Sequence, residues 1–271
     1  MTGFFVLVIA LGYAVSWFYG NMNILIFAVI FSIVMNVASY WYSDKIVLGL
    51  HHAVPATREA NFDLWNAVEN LSITAGLPMP RVYIIDDPAP NAFATGLDKE
   101  HAVVCVTSGL LQILNKTELE GVIAHELSHI GNKDILLSTV AVVLAGFVSI
   151  LSQMFLRGRM FRSRDREGGG ALMVVGIALA VLAPIFATLI QLAISRKREF
   201  LADADGVLLT RYPEGLADAL RKISAHGQPL MTAYHADAHL FIANPFGPEG
   251  KISKLFMTHP PVDERIKALV G

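Results

Sequence analysis

Four long apolar stretches, arranged in two pairs, limit how this chain can fold. Phe4 to Tyr19 and Ile24 to Tyr42 are parted only by Gly20-Asn21-Met22-Asn23, while Ile135 to Leu156 and Ala171 to Ile194 flank an Arg-rich loop. Each is close to the roughly 20 residues that carry a helix across about 30 Å of hydrocarbon. Trp17, Tyr19, Tyr40, Trp41 and Tyr42 sit at the ends of the first pair, where an aromatic belt belongs. The first stretch has no positive n-region or cleavage site, so it reads as a retained span rather than a secretion signal. The second pair carries Ser138, Thr139, Ser149, Ser152, Gln153, Pro184 and Gln191, and two readings stay open. It forms two more spans, with hydroxyls bonding back to their own helix, or a hairpin partly buried against protein.

Composition agrees with a membrane chain. Of the 271 residues, 54% are hydrophobic and 16% charged, against about a quarter charged in an ordinary soluble domain. The net charge of −2 offers no basic surface for nucleic acid. One cysteine, Cys105, rules out an internal disulfide and a Cys-based metal cluster, and its apolar setting marks it as a small buried hydrophobe. The chain divides into a two-helix anchor over 1–43, a mixed region over 44–134, the hydrophobic hairpin over 135–194, and a mainly helical region over 195–271. Within 44–134, Thr57 to Ala75 fits an amphipathic helix with Phe62, Trp65, Val68 and Leu71 on one stripe and Gly76 after it. Arg81 to Ile85 and His101 to Val106 read as strands, and Asn91 to Gly96 as a short edge strand ending in a turn.

The chemistry is carried by His125-Glu126-Leu127-Ser128-His129, an H-E-x-x-H pattern. Positions i and i+4 share a helix face, so both imidazoles can grip one zinc ion with Glu126 beside it as general base. The helix is signposted by Thr117 with Glu120 three residues on as a capping box, and by Leu119, Val122, Ile123, Leu127 and Ile130 at helical spacing before Gly131. A solvated amphipathic helix is the plain alternative.

A catalytic zinc usually takes three protein ligands. Position 135 is Ile, so an elongated three-His motif is absent; a Glu on a second helix is the other common solution. Glu199 is the candidate, with Asp203 one turn further on the same face and able to accept a hydrogen bond from a ligand imidazole. His129 lies six residues before Ile135, about 9 Å along a helix, and Glu199 five residues after Ile194. Two antiparallel spans return the chain to the same membrane face, so parity lets the two motifs share an ion.

The chain resembles the HtpX-type membrane zinc metalloproteases, relatives of the CAAX prenyl endopeptidases. The resemblance is carried by Asn91 to Gly96, Val122 to His129, Ser195 to Asp203 and Leu255 to Ile266. It implies an integral-membrane α-helical protein with about four transmembrane helices and an α+β zincin-like (gluzincin) catalytic domain. It implies one zinc per chain on His125, His129 and Glu199, with Glu126 as general base and Asp203 oriented toward His125. Asn91 and Ala92 fall in the segment that resembles a substrate-binding edge strand; Asn91 is a backbone clamp for the peptide or a turn residue after Pro90. His259 stabilises an oxyanion or begins the last helix, and Arg265 pairs with an acid such as Asp203.

The expected activity is endoproteolysis of membrane proteins or misfolded segments, in bacterial membrane-protein quality control. A non-proteolytic scaffold or chaperone and a processing protease for lipidated peptides are the rivals. No G-x-x-x-x-G-K-[ST] loop is present, so any ATP-driven motor is a partner. Basic residues near span ends are nearly balanced between the two sides, and the resemblance tips the active site to the cytoplasmic face of the inner membrane. His235 and His239, spaced i and i+4 around Asp237, are expected to be a solvated or loop pair, and His51 and His52 to be interfacial.

Overall fold

The structure, a computed structural model, describes residues 20–136, 138–139, 196–233, 240–246 and 260–271, with 8–9, 12–13 and 16–17 nearer the N-terminus. Most of the expected spans 4–19 and 135–156, all of 171–194, and His235, His239 and His259 lie outside the described residues. The chain divides into two compact units, Met1–Ser43 with Val140–Ile190, and Asp44–Thr139 with Gln191–Gly271. Helix α1 (Met22–Leu50) begins after the Gly20 turn, with Met22–Ser43 in the first unit and Asp44–Leu50 in the second. Among the described residues no single helix is long and apolar enough to cross a membrane. The limbs Met22–Met35 and Tyr40–Leu50 pass that test together but are bent by 72°. Ile26, Phe27, Ile30, Ile33, Val34 and Val37 are all exposed along α1.

The second unit carries a four-stranded sheet. Strands β1 (Val54–Pro55), β2 (Arg81–Ile85), β3 (Ala92–Thr95) and β4 (Val103–Thr107) lie in the order β1-β2-β4-β3. β2 and β4 are parallel, with Arg81 opposite Val103, and β3 runs antiparallel to β4, with Ala92 opposite Val106. β3 is therefore an edge. β4 is Val-Val-Cys-Val-Thr and buried at every position, as a strand covered on both faces must be.

Helices α2 (Phe62–Ala75), α3 (Ser108–Ile113), α4 (Lys116–Gly131), α5 (Arg196–Thr210), α6 (Pro213–His226) and α7 (Val262–Val270) complete the unit. α2 starts five residues later than the sequence pattern predicts, because Thr57–Asn61 form a turn closed by Asn61 N–H on the Thr57 C=O. Its buried stripe is Leu64, Ala67, Val68 and Leu71, and Phe62 is exposed. Gly76 ends it in the left-handed conformation (φ 65°), where a side chain would be strained.

α4 is the central helix, packed against α2, α5, α6 and β3. Val122, Ile123 and Leu127 are fully buried in the core with Leu216 and Leu220 of α6 and Val104 and Val106 of β4. Its capping box is not Thr117 with Glu120. Asn115 accepts from Glu118 N–H at 3.0 Å, and the Glu118 carboxylate accepts from Asn115 N–H at 2.8 Å. Both frames have the right spacing. The earlier one is selected because Glu118 also holds Lys222 of α6 at 2.7 Å, a contact that sequence spacing does not reveal.

Candidate metal centre

α4 and α5 lie side by side, and Gly206 allows it. A Cβ there would stand 3.1 Å from His125 N, so a larger residue would push the two backbones apart by a few tenths of an ångström. Glu199 and Asp203, one turn apart on α5, then both face His125 and His129 on α4. His125 Nε2, His129 Nε2 and the Glu199 carboxylate converge, with 3.2 Å between the imidazole nitrogens, 3.8 Å from His125 Nε2 to Glu199 Oε2 and 3.6 Å from His129 Nε2 to Glu199 Oε1. Ligands about 2.05 Å from a tetrahedral zinc stand about 3.3 Å apart. The donor set fits a divalent metal.

The outer nitrogens explain why. His125 Nδ1 donates to Asp203 Oδ1 at 2.9 Å, and His129 Nδ1 to Asp134 Oδ2 at 3.2 Å. Each carboxylate fixes the proton on Nδ1, so both Nε2 lone pairs point at one another. Such a pair repels unless a cation or a proton sits between them. The buried charges point the same way: among the described residues, the carboxylates of Glu126, Glu199 and Asp203 outnumber the one buried guanidinium beside them, Arg265.

Proton affinities follow from this balance. Burial and the nearby Arg265 push His125 down to about 4 against the pull of Asp203, so its imidazole is neutral. For His129 burial opposes the charge, but the Asp134 hydrogen bond and the carboxylates of Glu199 and Glu126 prevail and raise it to about 9. Burial, reinforced by Glu199, lifts Glu126 to about 7 against the pull of His129 and Arg265. Burial would also raise Asp203, yet Arg265 and His125 hold it well below the usual carboxylate range.

Arg265 is fully buried, with Nε and Nη2 on the two Asp203 oxygens at 2.8 and 2.6 Å. The pairing expected from the sequence is bidentate, and it ties α7 to the ligand helices. Asp134 was not singled out in the sequence. It is held by Arg198 at 2.8 Å, and its one available signal was lying five residues past His129.

Asn91 and Ala92 are not turned to an open cleft. Asn91 is buried, and its amide clasps the protein's own Ala243, Nδ2 donating to the C=O at 3.1 Å and Oδ1 accepting from the N–H at 3.2 Å. The Ala92 C=O accepts from Ile242 N–H at 2.9 Å. Phe241 and Ile242 are buried, and drawing either side chain into water costs about 1.5–3 kcal/mol. His51 is buried rather than interfacial, ring to ring with Phe93 and Phe241 at 6.0 and 5.2 Å.

A buried glutamate beside a three-residue metal pocket, on a helix packed against the edge strand of a sheet, is an arrangement suited to a metallopeptidase. The profile of peptidase family M48 matches residues 59–271. The protease HtpX homologue of Caldanaerobacter subterraneus subsp. tengcongensis is 47% identical over 274 residues, spanning 98% of this chain and 91% of its own. That of Tropheryma whipplei (strain Twist) is 48% identical, spanning 92% of this chain and 86% of its own. The crystal structure of Ste24p from S. mikatae shares the fold, with a TM-score of 0.56 at 17% identity. The match covers 97% of this chain and 62% of that one. The chain belongs to peptidase family M48 and is a metalloprotease.

Proposed function

We propose that this protein is a zinc-dependent endopeptidase of the bacterial cytoplasmic membrane, cutting exposed or misfolded segments of membrane proteins at the cytoplasmic face in quality control. The observation that carries the reading is the convergence of His125, His129 and Glu199 with both Nδ1 protons fixed by carboxylates. A zinc ion held by those three residues would supply Lewis acidity toward the peptide carbonyl and the attacking water. Glu126 takes the proton from that water and delivers it to the leaving nitrogen. Its helix packs against β3, the edge strand where an extended peptide pairs. Asp203 and Asp134 hold the two imidazoles in one tautomer, and Arg265 holds Asp203. His259 is a candidate oxyanion donor. The exposed apolar side chains of α1 support lipid as their partner.

Full-length protein stripped with a chelator is expected to take up one zinc per chain and to recover casein cleavage with it. Binding requires His129 Nε2 without its proton, and that imidazole rests at about 9 in the metal-free site. Zinc affinity therefore rises with pH, by about tenfold per unit below that value. An affinity that stays flat as pH rises, or cleavage indifferent to chelation, would count against this site.

Sidedness has its own test. In a Cys105→Ser background, Ser163→Cys should react with an impermeant thiol reagent added outside intact cells, and Ser253→Cys only after the membrane is opened. Each span carries the chain fully across, because lipid-exposed backbone must close its hydrogen bonds within a helix. Labelling of both from one side would eliminate the four-span arrangement and leave the zinc site standing.

A further inference from the structure

Helix α5 reaches all three ligands of the metal centre. It supplies Glu199, and one turn on its Asp203 accepts from His125 Nδ1 at 2.9 Å. A neighbouring stripe of the same helix, Arg198 and Asp205, holds the turn that follows α4. Asp205 accepts from Asn132 Nδ2 at 2.9 Å, and Arg198 Nη1 donates to Asp134 Oδ1 at 2.8 Å. The other Asp134 oxygen, Oδ2, takes His129 Nδ1. In an unbroken helix a residue five positions on would point about 140° away from the first. Asp134 faces His129 because α4 stops at Gly131 and Lys133 turns left-handed (φ 62°). That conformation is strained for lysine and persists where neighbouring contacts hold it. The two orienting carboxylates are not held alike. Asp203 is gripped by two nitrogens of Arg265, whose side chain is 1% exposed. Asp134 is held by one nitrogen of Arg198, whose side chain is 41% exposed.

We infer that Arg198 is a positioning residue for the metal, pinning the Asp134 carboxylate that aims His129 into the site. This rests on the reading that His125, His129 and Glu199 hold zinc. Without Arg198, water competes for the Asp134 carboxylate, and nothing keeps it turned toward His129 against the strain of the Lys133 turn. His129 then loses the acceptor that fixes its proton on Nδ1 and leaves Nε2 open to the metal. The sign separates this role from one of charge. Taking a cation away from a site built for a dication strengthens binding by Coulomb's law, whereas loosening a ligand weakens it. The single contact adds a second distinction. A lysine at 198 reaches one oxygen as well as an arginine does, while the bidentate grip of Arg265 admits no such replacement.

The test measures zinc affinity of full-length protein in detergent, by competition with a chromophoric chelator, so that no turnover is needed. Arg198→Gln should bind zinc about tenfold more weakly and Asp134→Ala about 100-fold, the range for losing a residue behind a metal ligand. A half-exposed ion pair adds little to stability, so Arg198→Gln should melt with the unsubstituted protein. Arg198→Lys should regain zinc affinity to within about threefold. In the Asp134→Ala background, Arg198→Gln should cost nothing further, because the residue it acts through is gone. Asp205→Ala cuts the other bond between α5 and the turn, and should change affinity by less than about twofold. Unchanged or tighter zinc binding in Arg198→Gln overturns the inference and leaves the zinc site standing. A second full loss on top of Asp134→Ala, or a loss in Asp205→Ala equal to that in Arg198→Gln, overturns it too. An unsubstituted protein that takes up no zinc removes the site and the inference together.

Discussion

Glu126→Gln is expected to bind zinc as the unsubstituted protein does and to cut casein about 10³- to 10⁴-fold more slowly, the upper range for removing a general acid–base group. Gln keeps the shape of the side chain, so α4 and the strand β3 packed against it stay where they are. What it lacks is an ionised carboxylate to accept the proton. The pH profile adds a sign. A general base works deprotonated, so kcat/KM of the parent enzyme climbs with pH through the Glu126 ionisation, and that acid limb should vanish in the variant. In the metal-free protein burial places the ionisation at about 7, and a dication alongside moves it lower. Metal analysis beside a protease assay checks this; equal cleavage by both proteins would return the chain to a scaffold reading.

Arg265→Leu should produce the largest loss of stability of any single change near the site. Removing one partner of a buried ion pair costs about 3–5 kcal/mol, because the other charge stays buried without compensation. Here Asp203 loses both of its guanidinium hydrogen bonds, and Glu199 loses a cation 4.0 Å away. The expected fall in Tm of chelator-treated protein is on the order of 10 °C. Zinc restores part of it, since a dication offsets the same carboxylates. Arg265→Lys should recover less than half, as an ammonium cannot span both oxygens. The pH dependence has a definite sign. Asp203 ionises lower in the folded protein than in the unfolded chain, so its contribution is full above the ordinary Asp value near 4 and is lost as pH falls below it. A shift of less than a degree or so in a melting experiment would show that α7 is not anchored through this pair.

Much of the site could be read in the sequence because it is local. His125, Glu126 and His129 depend only on the 3.6-residue turn, and Glu199 with Asp203 only on the next helix having the same period. Strands β2 and β4 showed themselves by β-branched runs, and β3 by its place between Pro90 and Gly96. Span parity is the sequence argument for setting the two ligand helices on one membrane face, and most of the hairpin it uses lies outside the described residues. The helix starts were read less well. Thr117 and Asn115 both offer a capping frame, and the choice falls to Lys222, more than a hundred residues away.

What the tertiary structure alone decided is which partners the polar groups take. Asp134 is not singled out by the sequence, and packing sets it against His129 and Arg198. Asn91 looked available to a peptide, and the fold gives it Ala243 instead. His51, placed at a membrane surface by its position after an apolar run, is packed between two phenylalanines. The reason is common to all three. Periodicity states which residues share a face, but a buried donor or acceptor must be satisfied by whatever packing brings within about 3 Å, and that neighbour comes from anywhere in the chain.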